Sequence, residues 1–362
     1  MSVILGIESS CDETSAAVVR DGRVVLGHVV ASQHELHAEY GGVVPEIASR
    51  AHLERLLPVL RQAVGEAGVG FEDLDAVAVG NRPGLIGSLL VGVSAAQALA
   101  WSLGVPLIGI DHVQAHLYAG HLVDGEEPAA EVMAERTLGL VVSGGHTSLY
   151  DVGGPLDAEV IGRTIDDAIG EAYDKAAVIL GLGFPGGPAV ERCAAGGDAD
   201  RYALPVSMLG RESLDFSFSG LKTALLYLVR GRPKTVAGKP VFERSSQDLG
   251  EQERADLAAS FQRAAVHAVT KKIERALDRS AAGYGRLVAG GGVTANRYLR
   301  GELASVAERR DLELMIPKMI YCVDNAAMIA GLAHHRFVAG DVDGLDLAAM
   351  STPSGAGKRK KA

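Results

Sequence analysis

Two stretches of this 362-residue chain open in the same way, and that repetition limits what it can fold into more than any other feature. In the first, three strand-like runs cover residues 3–7, 15–20 and 23–30, the last two joined by Asp21-Gly22, a pair suited to a tight hairpin turn. Helical spacing of Ile47, His52, Leu53, Leu56 and Leu60 follows, then a strand over 74–79, an uncharged helix over about 87–103 and a strand over 106–110. The second stretch repeats the opening with strands over 137–142, 148–152 and 159–164. Helices over 168–180 and 252–280, a strand over 287–289, a helix over 296–308, a strand over 312–316 and a helix over 325–337 complete it. Such a duplication predicts an α/β protein of two related halves with a ligand cleft between them. The polar, acidic segment 121–137 marks the boundary, giving halves over 1–130 and 131–345 and a basic, unstructured tail over 346–362.

Composition narrows the function. Hydrophobic residues at 48% and charged residues at 22% are those of a folded globular chain, while 45 glycines exceed average usage and call for tight turns or loops that a ligand approaches closely. A net charge of −10 makes general nucleic-acid affinity poor unless positive charge is concentrated locally or supplied by a partner. Cys11, Cys193 and Cys322 are far apart and form no C-x-x-C pair, which predicts a reducing, cytoplasmic setting and no cysteine-based zinc site. The opening MSVILGIESSCDETS has no basic start and no full apolar core, so no signal peptide is expected there. Residues 83–110 carry no charge, but Ser88, Ser94, Gln97, Ser102 and the break at Gly104 to Pro106 predict a buried helix and no membrane span.

Three glycine-bearing turns follow apolar strands: Gly6 to Thr14, Val141 to Thr147 (VVSGGHT) and Val288 to Asn296 (VAGGGVTAN). Backbone N–H groups in such turns converge into cradles for an anion or nucleotide, although none of the three matches Walker A or G-x-G-x-x-G. His112 and His116 stand four apart, so on a helix they share a face and can bind one metal; they can equally be ordinary histidines near a strand end. Asp324, after an apolar run and before a helix, is the best-placed third ligand. Val113 occupies the place where H-E-x-x-H needs its glutamate, which counts against a metallopeptidase. Asp166 and Asp167 suit the first turn of a helix as dipole partners, whereas Asp174, deeper in, suits a ribose hydroxyl. No G-x-S-x-G or S-x-x-K offers a covalent nucleophile. The basic stretch 230–244 and the run Lys358 to Lys361 are either solvated surface or RNA contacts.

The segments GIESSCDETSAAVV, GGVVPEIASRAH, PGLIGSLLVG, DHVQAHLYA, LVVSGGHTSL, DDAIGEAYDKAA, LGFPGGPAVE, DFSFSGLKTA, GGGVTANRYLR and CVDNAAMIA, in this order, resemble the tRNA N6-adenosine threonylcarbamoyltransferase family over residues 3 to 338. That family was long classed with metallopeptidases for its H-x-x-x-H. The resemblance implies two ribonuclease-H-like halves, the superfold of actin, sugar kinases and heat-shock ATPases, with a central nucleotide cleft. It implies metal-dependent transfer of a threonylcarbamoyl group from threonylcarbamoyl-AMP to N6 of adenosine 37 in tRNAs reading codons that begin with A, releasing AMP. One divalent metal per subunit, iron(II) ahead of zinc, would sit on His112, His116 and Asp324. Val141, Val142, Ser143, Gly144, Gly145, Asp174, Gly187, Glu191 and Asn296 would contact the adenylate. Partners would be tRNA, a paralogous actin-fold protein and a small ATPase, in the cytoplasm and away from membranes. The chain departs from the family pattern at Asn81-Arg82, where a Gly usually precedes Pro-Gly, and at Ala326, which replaces a Gly.

Overall fold

The computed structural model describes residues 1–125, 136–207, 209–210, 212–236 and 239–351. The heart of the acidic boundary segment and the basic run Lys358 to Lys361 lie outside the described residues. In chain order the strands are β1 (Val3–Glu8), β2 (Glu13–Arg20), β3 (Val24–Ser32), β4 (Ala76–Arg82), β5 (Leu107–Asp111), β6 (Val123–Asp124), β7 (Thr137–Val142), β8 (Thr147–Gly154), β9 (Asp157–Arg163), β10 (Lys234–Val236), β11 (Lys239–Val241), β12 (Arg286–Gly290) and β13 (Glu313–Met315). The α-helices are α1 (His34–Ala38), α2 (Pro45–Ala67), α3 (Ile86–Leu103), α4 (His112–Tyr118), α5 (Ile169–Leu180), α6 (Gly186–Ala194), α7 (Ser219–Arg230), α8 (Glu251–Arg279), α9 (Arg297–Arg309) and α10 (Ala326–Val338).

The chain divides into two units. Unit 1 draws its described residues from 1–134, 153–158 and 316–362, and unit 2 from 135–152 and 159–315. Its sheet in unit 1 runs β5-β4-β1-β2-β3-β6, with β1, β4 and β5 parallel and β2 antiparallel to both neighbours. The Asp21-Gly22 turn between β2 and β3 has positive φ at both residues (49° and 73°), the geometry that matches strand twist in a hairpin. Side chains alternate across the sheet. Ile4, Val19, Ala78 and Ile108 face α4 and α10, while Leu5, Ile7, Val18, Val77 and Val79 face α2 and α3. Each buried Val, Leu or Ile contributes roughly 1.5–3 kcal/mol relative to exposure, and covering both faces gives unit 1 a three-layer core.

In unit 2 the sheet order is β13-β12-β7-β8-β9, again with a parallel pair beside the antiparallel β7–β8 hairpin. Counted from each unit's first strand, the order and strand directions reproduce β5-β4-β1-β2-β3, which is the duplication read from the sequence. Long helix α8 buries Leu257, Phe261, Ala265, Val269 and Ile273 along the stripe that the spacing predicts.

Three expectations change. Helix α10 and the residues after it, assigned from sequence to the second half, belong to unit 1, where Met328, Ile329 and Leu332 cover the sheet. Helices α6 and α7 and the β10–β11 hairpin were not foreseen. The uncharged helix, α3, buries one face (Ser88, Leu89, Gly92, Val93, Ala96, Ala100) while Ile86, Leu90 and Trp101 are exposed. It is the one helix among the described residues long and apolar enough to cross a membrane.

Candidate functional site

Strand β5 delivers the chain into α4, whose first residue is His112. Asp111 caps this short helix, its Oδ1 accepting from the backbone N–H of Val113 (3.0 Å) and Gln114 (3.2 Å). The helix turn then brings His116 onto the face of His112, with ring centroids 4.7 Å apart and planes at 80°. Asp324 reaches the pair from the other end of unit 1. Asn325 fixes it there by donating to the carbonyls of Tyr321 (3.2 Å) and Val323 (2.7 Å) while its Oδ1 caps α10 at Met328 N. Gly6 in β1 admits this corner, since a Cβ at that position would overlap the carbonyl oxygen of Ala326.

Asp324 Oδ1 lies 3.1 Å from His116 Nε2 and 3.4 Å from His112 Nε2, and the three donor atoms all fall within 4.8 Å of one another. Behind them, His112 Nδ1 is 2.9 Å from Glu8 Oε2 and 3.3 Å from Ser10 Oγ, and Glu8 is itself held by Ser10 N–H at 2.5 Å. A carboxylate on Nδ1 orients the ring so that Nε2 faces Asp324, the usual support of a metal-binding histidine. His116 Nδ1 is buried with no hydrogen-bond partner. Burial disfavours charge on His112, yet Glu8 and Asp324 outweigh it and hold its pKa well above the usual range. Burial, with His112 nearby, lowers the pKa of His116. Asp324 is partly buried, which disfavours its charge, but the two imidazoles hold its carboxyl well below the usual range. One buried and one partly buried carboxylate turned on two imidazoles form a cation-seeking centre, and a nitrogen–nitrogen–oxygen donor set suits iron(II) or zinc.

Glu8 and Ser10 were missed as functional residues by sequence reasoning. The available signal was a glutamate ending a strand of wholly apolar neighbours, with no cation close in sequence to satisfy it. A second cluster was missed as well: His34 Nε2 lies 3.2 Å from Glu13 Oε1 and 3.6 Å from Asp12 Oδ2. Burial pushes the Glu13 carboxyl up to about 8. Burial also raises the Cys11 thiol, as expected of an inert, structural cysteine.

In unit 2 the predicted nucleotide residues lie at the end of β7 and just beyond it, in α5 and α6, and immediately before α9. Val141 and Val142 are fully buried strand residues. Ser143 opens a turn in which its N–H donates to His146 O (2.8 Å) and its Oγ accepts from His146 N (3.1 Å), leaving Gly144 and Gly145 exposed. Gly291, at φ 94°, lies against this strand end, and a Cβ there would overlap the Val142 carbonyl. The Asp174 Oδ1 accepts from Gly186 N–H (2.8 Å) at the start of α6, one residue before Gly187. Glu191, from α6, accepts from Arg297 N–H (2.8 Å), which ties that helix to the start of α9. Asn296 caps α9 through Leu299 N–H (2.9 Å) and donates to Gln262 (2.9 Å). These bonds tie α5 to α6 and α6 to the start of α9, and they give Asp174, Glu191 and Asn296 local structural roles of their own.

Asp166 and Asp167 precede α5 and do not act as its dipole partners. Asp166 takes Ser217 Oγ (2.5 Å), Phe218 N–H (2.8 Å) and Ser219 Oγ (2.7 Å) at the start of α7, and Asp167 pairs with Lys175 (2.7 Å) and Lys222 (2.8 Å). In the basic stretch, Lys234 pairs with Glu243, Arg244 donates to Leu228 O (2.6 Å), and the Arg230 guanidinium lies 5.9 Å from the centre of the Phe242 ring. Much of that charge is spent locally.

A duplicated unit of this sheet order places the protein in the actin-like, sugar-kinase class of folds, here with a two-histidine, one-carboxylate centre. Among solved structures, full-length HypF in a phosphate- and nucleotide-bound form aligns with 94% of this chain and 47% of its own (TM-score 0.58, 13% identity), and T. kodakarensis HypF with 96% and 49% (TM-score 0.57, 16% identity). The family profile described as TsaD, tRNA N6-adenosine threonylcarbamoyltransferase, matches residues 24–331. Proteins of that name from Trichlorobacter lovleyi and Symbiobacterium thermophilum are 49% and 50% identical over 97% and 96% of this chain, and 96% and 95% of their own lengths. The chain belongs to the tRNA N6-adenosine threonylcarbamoyltransferase family: it is a transferase that modifies tRNA.

Proposed function

We propose that the chain transfers the threonylcarbamoyl group of threonylcarbamoyl-AMP to N6 of adenosine 37 in tRNAs reading codons that begin with A. The observation that carries this reading is the convergence of His112, His116 and Asp324 with Glu8 behind them, in a family of threonylcarbamoyltransferases. One divalent metal, iron(II) or zinc, held by those three side chains would supply an orienting site and Lewis acidity for the threonylcarbamoyl end. Glu8 and Ser10 keep His112 in the tautomer that can act as a ligand.

The donor is a mixed anhydride. N6 attacks its carbamoyl carbon, the carbon–oxygen bond to phosphate breaks, AMP departs, and N6 loses a proton. A phosphate of low pKa leaves readily, so neither a covalent nucleophile nor a strong general acid is required, in keeping with the missing nucleophile motifs. What remains is positioning. The backbone of Val141, Val142, Ser143, Gly144 and Gly145, with the start of α9 at Asn296, would hold the adenylate phosphate. Asp174, Gly187 and Glu191 would contact the nucleoside. The cytoplasm, a paralogous actin-fold protein and a small ATPase complete the reading.

Metal-loaded protein, threonylcarbamoyl-AMP and unmodified tRNA should yield t6A and AMP in equal amounts by nucleoside mass spectrometry, with or without those partners added. Free AMP with no t6A under any combination would contradict the transfer.

A further inference from the structure

Beside the metal-type centre, unit 1 contains a cavity of about 280 Å³ lined by Asn81, Arg82, Asp111, Gln114, Arg336 and Asp343, among others. Its two guanidinium groups differ. Arg336 is fully committed: both ends of its fork bind Asp341 (2.7 and 2.9 Å), and Nη1 also meets Asp343 (2.9 Å) and Gly109 O (2.6 Å). Arg82 is not. Its Nε makes no hydrogen bond, and its nearest carboxylate, Asp111 Oδ2, is 3.7 Å away, while the other Asp111 oxygen caps α4. The side chain is 30% exposed. Next to it, Asn81 is 2% exposed and donates through Nδ2 to Ala348 O (3.0 Å), while its Oδ1 has no partner at all. An unpartnered buried amide oxygen is destabilising unless something donates to it.

Location gives the pair its meaning. Strands β4 and β5 end side by side, with Arg82 opposite Asp111, and Asp111 directly precedes His112. A group held in the cavity is therefore next to the centre that the substrate adenosine must reach. The unspent chemistry, a planar cationic fork and a single acceptor, matches one ribose–phosphate unit: phosphate on Arg82, and a ribose hydroxyl donating to Asn81 Oδ1. Two molecules could bring such a unit, the tRNA backbone or the AMP moiety of the donor. A chain of net charge −10 that binds a polyanion depends on local positive charge, and the glycine turns of unit 2 already offer the adenylate a cradle.

We propose that Asn81 and Arg82 form a ribose–phosphate subsite for the tRNA backbone. This rests on tRNA being the substrate, and its test uses binding so that it does not depend on the transfer chemistry. Filter binding of unmodified tRNA across a salt series should show Arg82→Ala weakening affinity about 5- to 20-fold and reducing the salt slope by about one, with Arg82→Lys intermediate because charge survives without the fork. Asn81→Ala should weaken the complex less, with an unchanged salt slope. AMP affinity by calorimetry should stay within twofold of wild type in all three. Wild-type tRNA affinity and salt slope in Arg82→Ala would overturn the subsite, and a matching loss of AMP affinity would reassign it to the donor. Should wild-type protein bind tRNA but form no t6A, the transfer reading fails while the Arg82 comparison still decides the subsite.

Discussion

At the end of β1 in unit 1 the chain carries Glu8, Asp12 and Glu13; at the end of β7 in unit 2, the matching place in the repeat, it carries Ser143, Gly144 and Gly145. The sheet order is the same, but the electrostatics are opposite. Unit 1 collects carboxylates and imidazole nitrogens, which want a cation. Unit 2 has Ser143 and the exposed Gly144 and Gly145 there, with no carboxylate in the turn, and the proposed function puts the phosphate of the donor at that turn. On the proposed function, a duplicated scaffold would offer ligands the ends of the strands in both units, with the side chains on the first hairpin setting the charge preferred there.

The largest effect expected from this division is on the imidazoles. His116→Ala should reduce transfer to background and lower metal content, with urea unfolding still cooperative; full activity would remove the ligand assignment. Glu8→Gln tests the support behind His112. Metal affinity should fall about 10- to 100-fold, read by competition with a chelator, because the ring loses the carboxylate that orients it. On the other side, Gly291→Ala should weaken AMP binding and cost about 1–3 kcal/mol of stability, since its backbone conformation is one that only glycine adopts readily. Metal content should not change, and a parallel loss of metal would break the separation of roles.

The last comparison concerns Glu13 and its dependence on pH. Its carboxyl holds a proton in the folded state up to about pH 8, whereas an unfolded glutamate ionises near 4.5. Between those values the folded state binds the extra proton, so this group's contribution makes stability fall as pH rises, and the loss is complete above about 8. Glu13→Gln should therefore raise the urea midpoint relative to wild type at pH 9 and leave the difference small at pH 4. An equal difference at both pH values would place the effect elsewhere than in ionisation.

Local signals made much of this legible. The Asp21-Gly22 hairpin, the stripe of α8 and the repeated three-strand openings depend on neighbours in sequence, and they appear where periodicity put them. The spacing of His112 and His116 needed only the turn of a helix. What could not be read were bonds formed across the chain. Asp166 looked like the start of α5 because that helix follows it, yet its partners are Ser217 and Ser219. Helix α10 was placed with its sequence neighbours, although its apolar face fits the sheet of unit 1, where Gly6 leaves room for its start. Glu8 gave no sign of its partner because His112 lies more than a hundred residues away. Short α6 begins Gly-Gly-Pro, which reads as a turn, and its boundaries depend on Asp174 accepting from Gly186.

The measurement that bears most directly on the division between the units is metal stoichiometry alongside nucleotide affinity in one variant. Wild-type protein equilibrated with zinc and desalted should hold one metal per chain by elemental mass spectrometry. Asp324→Ala should hold close to none, while its AMP affinity by calorimetry stays within twofold of wild type. Metal retained in Asp324→Ala, or AMP affinity lost together with the metal, would contradict a cation centre in unit 1 and an anion cradle in unit 2.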